Sequence, residues 1–194
     1  MATLVSVRGR VRTRLEEQAA AVWSDVEIDE AIGASLEEYS HLFPREESVD
    51  LPVIAGATSI DGPEDAFEVL RLTLENGWVV PRRASPIGNS SGEELAWEWF
   101  AGTIHFSRPV EAQTLTVWCL TGSAIEQVPE ADIGVVVLGA VWRALQQRSV
   151  QDFKRGGPLG GMSYGAVIHS AEREYARAMN ARRRRVRSRA MGAG

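Results

Sequence analysis

FEVLRLTLENGWVV, residues 67–80, decides how the chain divides. Phe67, Val69, Leu70, Leu72 and Leu74 lead into Glu75-Asn76-Gly77, and Trp78-Val79-Val80 follow. Asn-Gly between apolar runs favours a tight hairpin, because both residues tolerate the positive φ that such turns need. A second pair lies downstream, with Leu95, Trp97 and Trp99 joined through Gly102 to Thr103, Ile104 and Phe106. Thr114 to Leu120 is a third run, rich in β-branched and aromatic side chains that suit a pleated surface. Glycine, proline and serine gather between the runs, most densely at Ser85 to Gly92. The spacing predicts five or six strands in a small antiparallel sandwich or barrel over residues 48–126.

Outward from this block the period becomes helical. Val5, Val7, Val11 and Leu15 predict a first helix from about Arg8. Ser24 followed by Glu27 is a capping box, which starts a second helix at Asp25, and Pro44 stops it. Its apolar side carries Ile28, Ile32, Leu36 and Tyr39. Beyond the strands, Pro129, Glu130 and Asp132 suit a helix start, with a helix through Val136 and Trp142 to about Arg148 or Phe153. Gly156 to Gly161 reads as a joint, and a last helix follows from Tyr164 to about Arg185, with frayed residues from Ser188. The expected class is α+β: residues 1–47 and 127–194 form a helical bundle, with residues 48–126 inserted as a β-domain. Trp23, Leu36, Tyr39 and Trp142 are its expected helical core.

The chain has 194 residues, 44% hydrophobic and 24% charged, in the globular range. No stretch approaches the ~18 to 20 apolar residues that span a bilayer, and residues 1–14 hold no apolar block of signal-peptide length. The expectation is a protein of a reducing compartment that neither enters membranes nor is secreted. The net charge of −5 is unevenly spread, with +4 over residues 1–14, −18 over 15–132 and +9 over 133–194. An acidic middle between basic ends argues against a simple nucleic-acid binder and suggests ends that dock on acidic partners.

Catalytic chemistry needs converging groups, and the sequence offers few. Cys119 is the single cysteine, which excludes a disulfide framework or a Cys-based zinc cluster. His41, His105 and His169 have no metal-ligand spacing among them. Gly156 to Gly161 lacks the Lys-Ser/Thr of a phosphate-binding loop, and Ser123 and Ser163 lack a nucleophile-elbow frame. No enzyme activity, cofactor or metal is therefore expected. Trp97 and Trp99 share one strand face. Facing inward they are core, and facing outward they form a platform for sugars or bases. The run Arg182-Arg183-Arg184-Arg185-Val186-Arg187 continues a helix with apolar positions up to Met179. That combination fits a terminal helix that inserts into an acidic groove of another protein.

Trp23-Ser24-Asp25-Val26-Glu27 and Leu36-Glu37-Glu38-Tyr39-Ser40 resemble elements of the head-to-tail adaptor, or connector, proteins of tailed bacteriophages and gene transfer agents. Residues 8–43 carry the resemblance, with looser support from the last helix, Ser163 to Arg189. It implies a structural virion protein of the neck, present in the host cytoplasm during assembly, in a ring of twelve subunits beneath the portal. Such a ring extends the DNA channel, through which packaged DNA passes without specific binding, and offers an attachment surface to a stopper or tail-terminator protein. The last helix would then dock on the portal through Tyr164, Tyr175, Met179, Arg182, Arg183, Arg184, Arg185 and Arg187. Two other classes stay open: a carbohydrate- or host-surface-binding module built on Trp97 and Trp99, and a small nucleic-acid-binding regulator built on the arginine run.

Overall fold

The computed structural model describes residues 1–16, 22–83, 94–154 and 164–191. Within it the chain forms two compact units, Met1–Leu42 with Ser123–Gly194, and Phe43–Gly122. The β-unit thus begins five residues before the expected position 48. The reason is local: Pro44 ends the helical stretch and the first strand starts directly afterwards.

Among its described residues the first unit holds four α-helices, α1 (Leu4–Arg14), α2 (Asp25–Leu42), α3 (Glu130–Lys154) and α4 (Tyr164–Met191), with a short 3-10 turn at Ile125–Gln127 before α3. α1 starts earlier than predicted because Thr3 and Ser6 form a reciprocal cap that satisfies the first free amides. α2 starts where the sequence placed it. The Ser24 amide donates to Glu27 Oε2 at 2.8 Å, and the Glu27 amide donates to Ser24 Oγ at 3.2 Å. α3 packs against each of the other three helices. Val7, Val11, Ile28, Ile32, Ile133 and Val136 are essentially inaccessible, each contributing roughly 1.5–3 kcal/mol by leaving water. At Gly139 the helices approach so closely that a Cβ there would lie 2.2 Å from Ser35 Oγ and 2.9 Å from the Tyr175 ring. α4 continues to Met191, past the predicted end near Arg185, since arginine and alanine are good helix formers. The Gly156–Gly161 joint lies outside the described residues.

Among its described residues the second unit contains seven strands: β1 (Arg45–Val53), β2 (Ala57–Asp61), β3 (Ala66–Leu74), β4 (Val79–Val80), β5 (Trp97–Phe100), β6 (Thr103–Val110) and β7 (Gln113–Thr121). They form a four-stranded sheet, β1-β7-β3-β4, and a three-stranded sheet, β2-β6-β5, with every strand pair antiparallel. A parallel bridge between Arg82 and Trp97 follows the end of β4. The hairpin forms at Asn76-Gly77 as read, but Gly77 alone takes a positive φ, +82; the ladder closes at Leu74 and Trp78 around Glu75-Asn76-Gly77, and the Trp78 amide donates to Asn76 Oδ1 at 2.9 Å. Ala101 and Gly102 turn β5 into β6, both at positive φ. The core is apolar, centred on Trp97, Val69, Leu72, Ile104, Leu115 and Val117.

Candidate functional site

The resemblance gave α4 as the docking arm, and its side chains divide into two sides. Tyr175, Met179 and Arg182 recur at helical spacing and face the bundle. Tyr175 and Met179 are each 5% exposed, so they belong to the interior and not to a docking surface. Their apolar stripe has its partner within the chain, in α3. The Tyr175 ring stacks on Trp142 with centroids 5.8 Å apart, and the Arg143 guanidinium lies 5.9 Å from it while pairing with Glu38. Burial and the adjacent Glu38 carboxylate push the Tyr175 phenol up to about 12.

Arg182 is likewise withdrawn from docking. Its Nε lies 2.7 Å from Oδ2 of Asp132, a carboxylate that is 2% exposed in the first turn of α3. The same oxygen accepts a 2.9 Å hydrogen bond from the Tyr39 hydroxyl on α2. One buried carboxylate therefore ties three helices. Desolvation, and then the bond to Asp132, push the Tyr39 phenol up to about 12, so it stays a donor at all ordinary pH. Arg183 and Arg184 are exposed and remain available as docking groups. The side chains of Tyr164, Arg185 and Arg187 lie outside the described residues.

The basic N-terminus also turns inward. Arg8 bridges Asp25 and Asp29 at 2.9 and 2.5 Å, and Arg12 reaches Asp25 at 2.7 Å. Arg10 meets Glu130 at 2.6 Å and Arg14 meets Glu174 at 3.0 Å. The expectation that this end docks on acidic partners is corrected: its arginines neutralise carboxylates of α2, α3 and α4. Of the expected core, Trp23 is buried and donates its indole Nε1 proton to the Ala144 carbonyl at 3.2 Å. Tyr39 is buried as well, whereas Leu36 and Trp142 are half-buried.

In the β-unit, Trp97 is fully buried and donates through Nε1 to the Val80 carbonyl at 2.9 Å. Trp99 packs against the same core, its ring so close to Gly62 that a Cβ there would sit 2.2 Å from it. The ligand-platform reading of Trp97 and Trp99 is thus replaced by the core reading. The sandwich needs bulky inward side chains, and the Trp97 indole already has its partner.

Chemistry is sparse among the described residues. No group of three His, Cys, Asp or Glu could hold a metal ion, and no helix is long and apolar enough to cross a membrane. Cys119 is buried, and desolvation with the nearby Glu47 raises its thiol above the usual range, which disfavours the nucleophilic thiolate. His169 is exposed beside Glu172 at 3.3 Å, His41 closes α2, and His105 is half-buried on β6. A groove of about 520 Å³ runs along the bundle, lined by Leu138, Val141, Leu145, Val167 and Ala171 and edged by Arg14 and Glu174. Its wall is mostly aliphatic, and at its rim Arg14 pairs with Glu174 beside Glu16. No protein-family model matches this sequence, and comparison with curated proteins finds no match either.

Proposed function

We propose that this chain is a structural, non-enzymatic head-to-tail adaptor, a ring-forming neck protein that seats beneath a portal, extends the DNA channel and receives the tail. The single observation that supports this most is the design of α4. A 28-residue helix is fastened along one side by Tyr175, Met179 and Arg182, while successive arginines, Arg183 and Arg184, stay exposed near its end. A fastened helix holds its charges in fixed positions, which suits recognition of a rigid, acidic surface repeated around a ring. The docking set accordingly becomes Arg183 and Arg184, with Arg185 and Arg187 further along. The adaptor-like elements Trp23 to Glu27 and Leu36 to Ser40 form part of the same bundle, which accords with the resemblance.

Exposed arginines also favour a second reading, binding of nucleic acid phosphates. Reversing Arg183, Arg184 and Arg185 to glutamate separates the two. The adaptor reading expects loss of attachment to portal-bearing particles in negative-stain images, with helical circular dichroism intact. The nucleic-acid reading expects lost DNA affinity with a shallower salt slope. Particles that still acquire the triple variant refute the docking assignment.

A further inference from the structure

The four-stranded sheet has an outer face that the β-unit's core does not use. Along β7, Leu115, Val117 and Cys119 point inward and are inaccessible, so Thr116, Trp118 and Leu120 lie on the other side. Register sets Glu46 opposite Leu120, Ser48 opposite Trp118 and Asp50 opposite Thr116. On the other flank, β3 sets Glu68 opposite Leu120 and Arg71 opposite Trp118, but its register shifts twice, between Ala66 and Glu68 and again between Val69 and Arg71. Each shift is a bulge that inserts one residue, and the inserted residues are Phe67 and Leu70. They are 41% and 39% exposed. Regular alternation would send Phe67 inward beside Val69. The bulges instead leave both apolar side chains exposed, Leu70 at the level of Trp118 and Phe67 at the level of Leu120, and the Arg71 guanidinium sits 4.5 Å over the Trp118 ring.

An apolar centre of Phe67, Leu70, Trp118 and Leu120 rimmed by carboxylates is the anatomy of an interface. The charge balance indicates what covers it. Residues 43–122 carry twelve acids against five arginines, a net of −7. The complementary surface lies on α4. Arg173 and Arg177 sit two residues on either side of Tyr175, about half a turn round the helix from the buried stripe. Both are exposed, with small Ala176 between them and Asn180 beyond, so a flat surface can approach the helix closely.

We propose that the outer face of the four-stranded sheet binds the Arg173–Arg177 side of α4 in a second copy of this chain. Glu46 and Asp50 receive the two arginines, and Ala176 lies over Leu70 and Leu120, beside the Trp118 ring that Arg71 covers. Joining two different patches makes the contact heterologous, so it propagates into a ring or a filament. Sheet-to-sheet pairing would instead set Glu46, Asp50 and Glu68 against the same acids. The contact supplies a subunit interface for the proposed ring. It is read in the purified chain, whereas portal docking is read on particles through Arg183 to Arg185, so either can fail alone.

The test is sedimentation of the purified full chain over a concentration series. The wild type is expected to self-associate, and more tightly at low salt. Glu46→Arg with Asp50→Arg, and separately Arg173→Glu with Arg177→Glu, should each weaken association at least about tenfold, ~1.4 kcal/mol. An equimolar mixture of the two variants should restore it, because the reversed faces complement each other. Leu70→Glu should abolish association in the wild-type background. Should that variant lose its circular dichroism, the charge variants, all at exposed positions, decide the matter. A wild type that stays monomeric at its highest soluble concentration overturns the proposal. So does association that survives either charge reversal, or a mixture that stays apart.

Discussion

The helical unit and the β-unit are held together by different physics. In the helices, polar groups sit inside: Asp132, Ser35 and Ser40 are buried, and the Ser35 hydroxyl donates to the Val136 carbonyl at 2.9 Å. Arginine–carboxylate pairs link α1 to α2, α3 and α4, and α4 back to α3. The core of the β-unit is a set of apolar side chains between backbone ladders, and the Arg82–Glu68 ion pair at 2.9 Å lies outside it. Apolar contact tolerates many registers of one helix on another, whereas a carboxylate shared by two specific donors tolerates few. The bundle therefore adds to its apolar packing a buried carboxylate, Asp132, shared by two donors, and the sheets fix their register by backbone pairing.

The strongest way to break this contrast is to remove the shared carboxylate. Asp132→Ala takes the carboxylate from Arg182, whose side chain is 18% exposed, and from the Tyr39 hydroxyl, and should cost ~3–5 kcal/mol. Denaturant unfolding followed by helical circular dichroism checks it. Amide protection in β7 should be unchanged. Replacing Asp132 and Arg182 together by leucine should cost less than Asp132→Ala alone, because no buried charge is then left unpaired. A double variant as weak as the single one would show that the pair itself supplies net stability.

Next in size is the helix crossing at Gly139. Gly139→Ala drives a Cβ into Ser35 Oγ, at 2.2 Å before relaxation, and should cost ~1–3 kcal/mol despite alanine's better helix propensity. Gly33→Ala, with open space around it on α2, is the control and should stabilise by up to ~1 kcal/mol. Thermal midpoints of the two variants should move in opposite directions.

These residues also show what the sequence could convey. The Ser24–Glu27 box and the Asn76-Gly77 turn were legible because each is a local device whose partners lie within a few residues. The side of Trp97 and Trp99 was not, since period two states that they share a face and not which face. α4 was legible as amphipathic, but the owner of its apolar groove was not. That Tyr175 and Met179 pack on α3 depends on contacts made far along the chain. Arg182 carries a missed signal: it falls seven residues after Tyr175, on the buried stripe, unlike Arg183 and Arg184. The bulges at Phe67 and Leu70 leave no trace in a run of alternating letters.

A smaller effect tests the electrostatic side of the contrast. Asp25 is held below the usual carboxylate range first by its bond from Arg12 and also by Arg8, Glu27 by the Ser24 amide and then Gln151, and Glu130 by Arg10. A carboxylate lowered on folding stabilises fully above its unfolded value of about 4 and loses that contribution as pH falls through the folded one. Acid should therefore unfold the helices before the sheets, as helical circular dichroism lost while β7 amides stay protected. Glu27→Gln keeps an acceptor in the cap but removes the titration. It should cost ~0.3–1 kcal/mol at neutral pH and make the acid limb shallower.

The smallest expected effect falls on an exposed ion pair of the β-unit. Arg82 and Glu68 are 42% and 45% exposed, so water screens them, and ordering two long side chains opposes the attraction. Glu68→Gln should shift β-unit stability by less than ~0.5 kcal/mol, with β7 amide protection unchanged. Arg82 need not lose its place, because its guanidinium also lies 5.3 Å from the Trp97 ring. The comparison sharpens if Glu68→Gln is silent while Asp132→Ala unfolds the bundle, since both remove one carboxylate that pairs with one arginine. The partners left behind differ: Arg82, 42% exposed, keeps its water, whereas Arg182, with a side chain 18% exposed, and the Tyr39 hydroxyl lose a buried anion that little water can replace. A loss above ~1.5 kcal/mol in Glu68→Gln would mean that charge organises the sheets as well, and that the division between the two units is not one of kind.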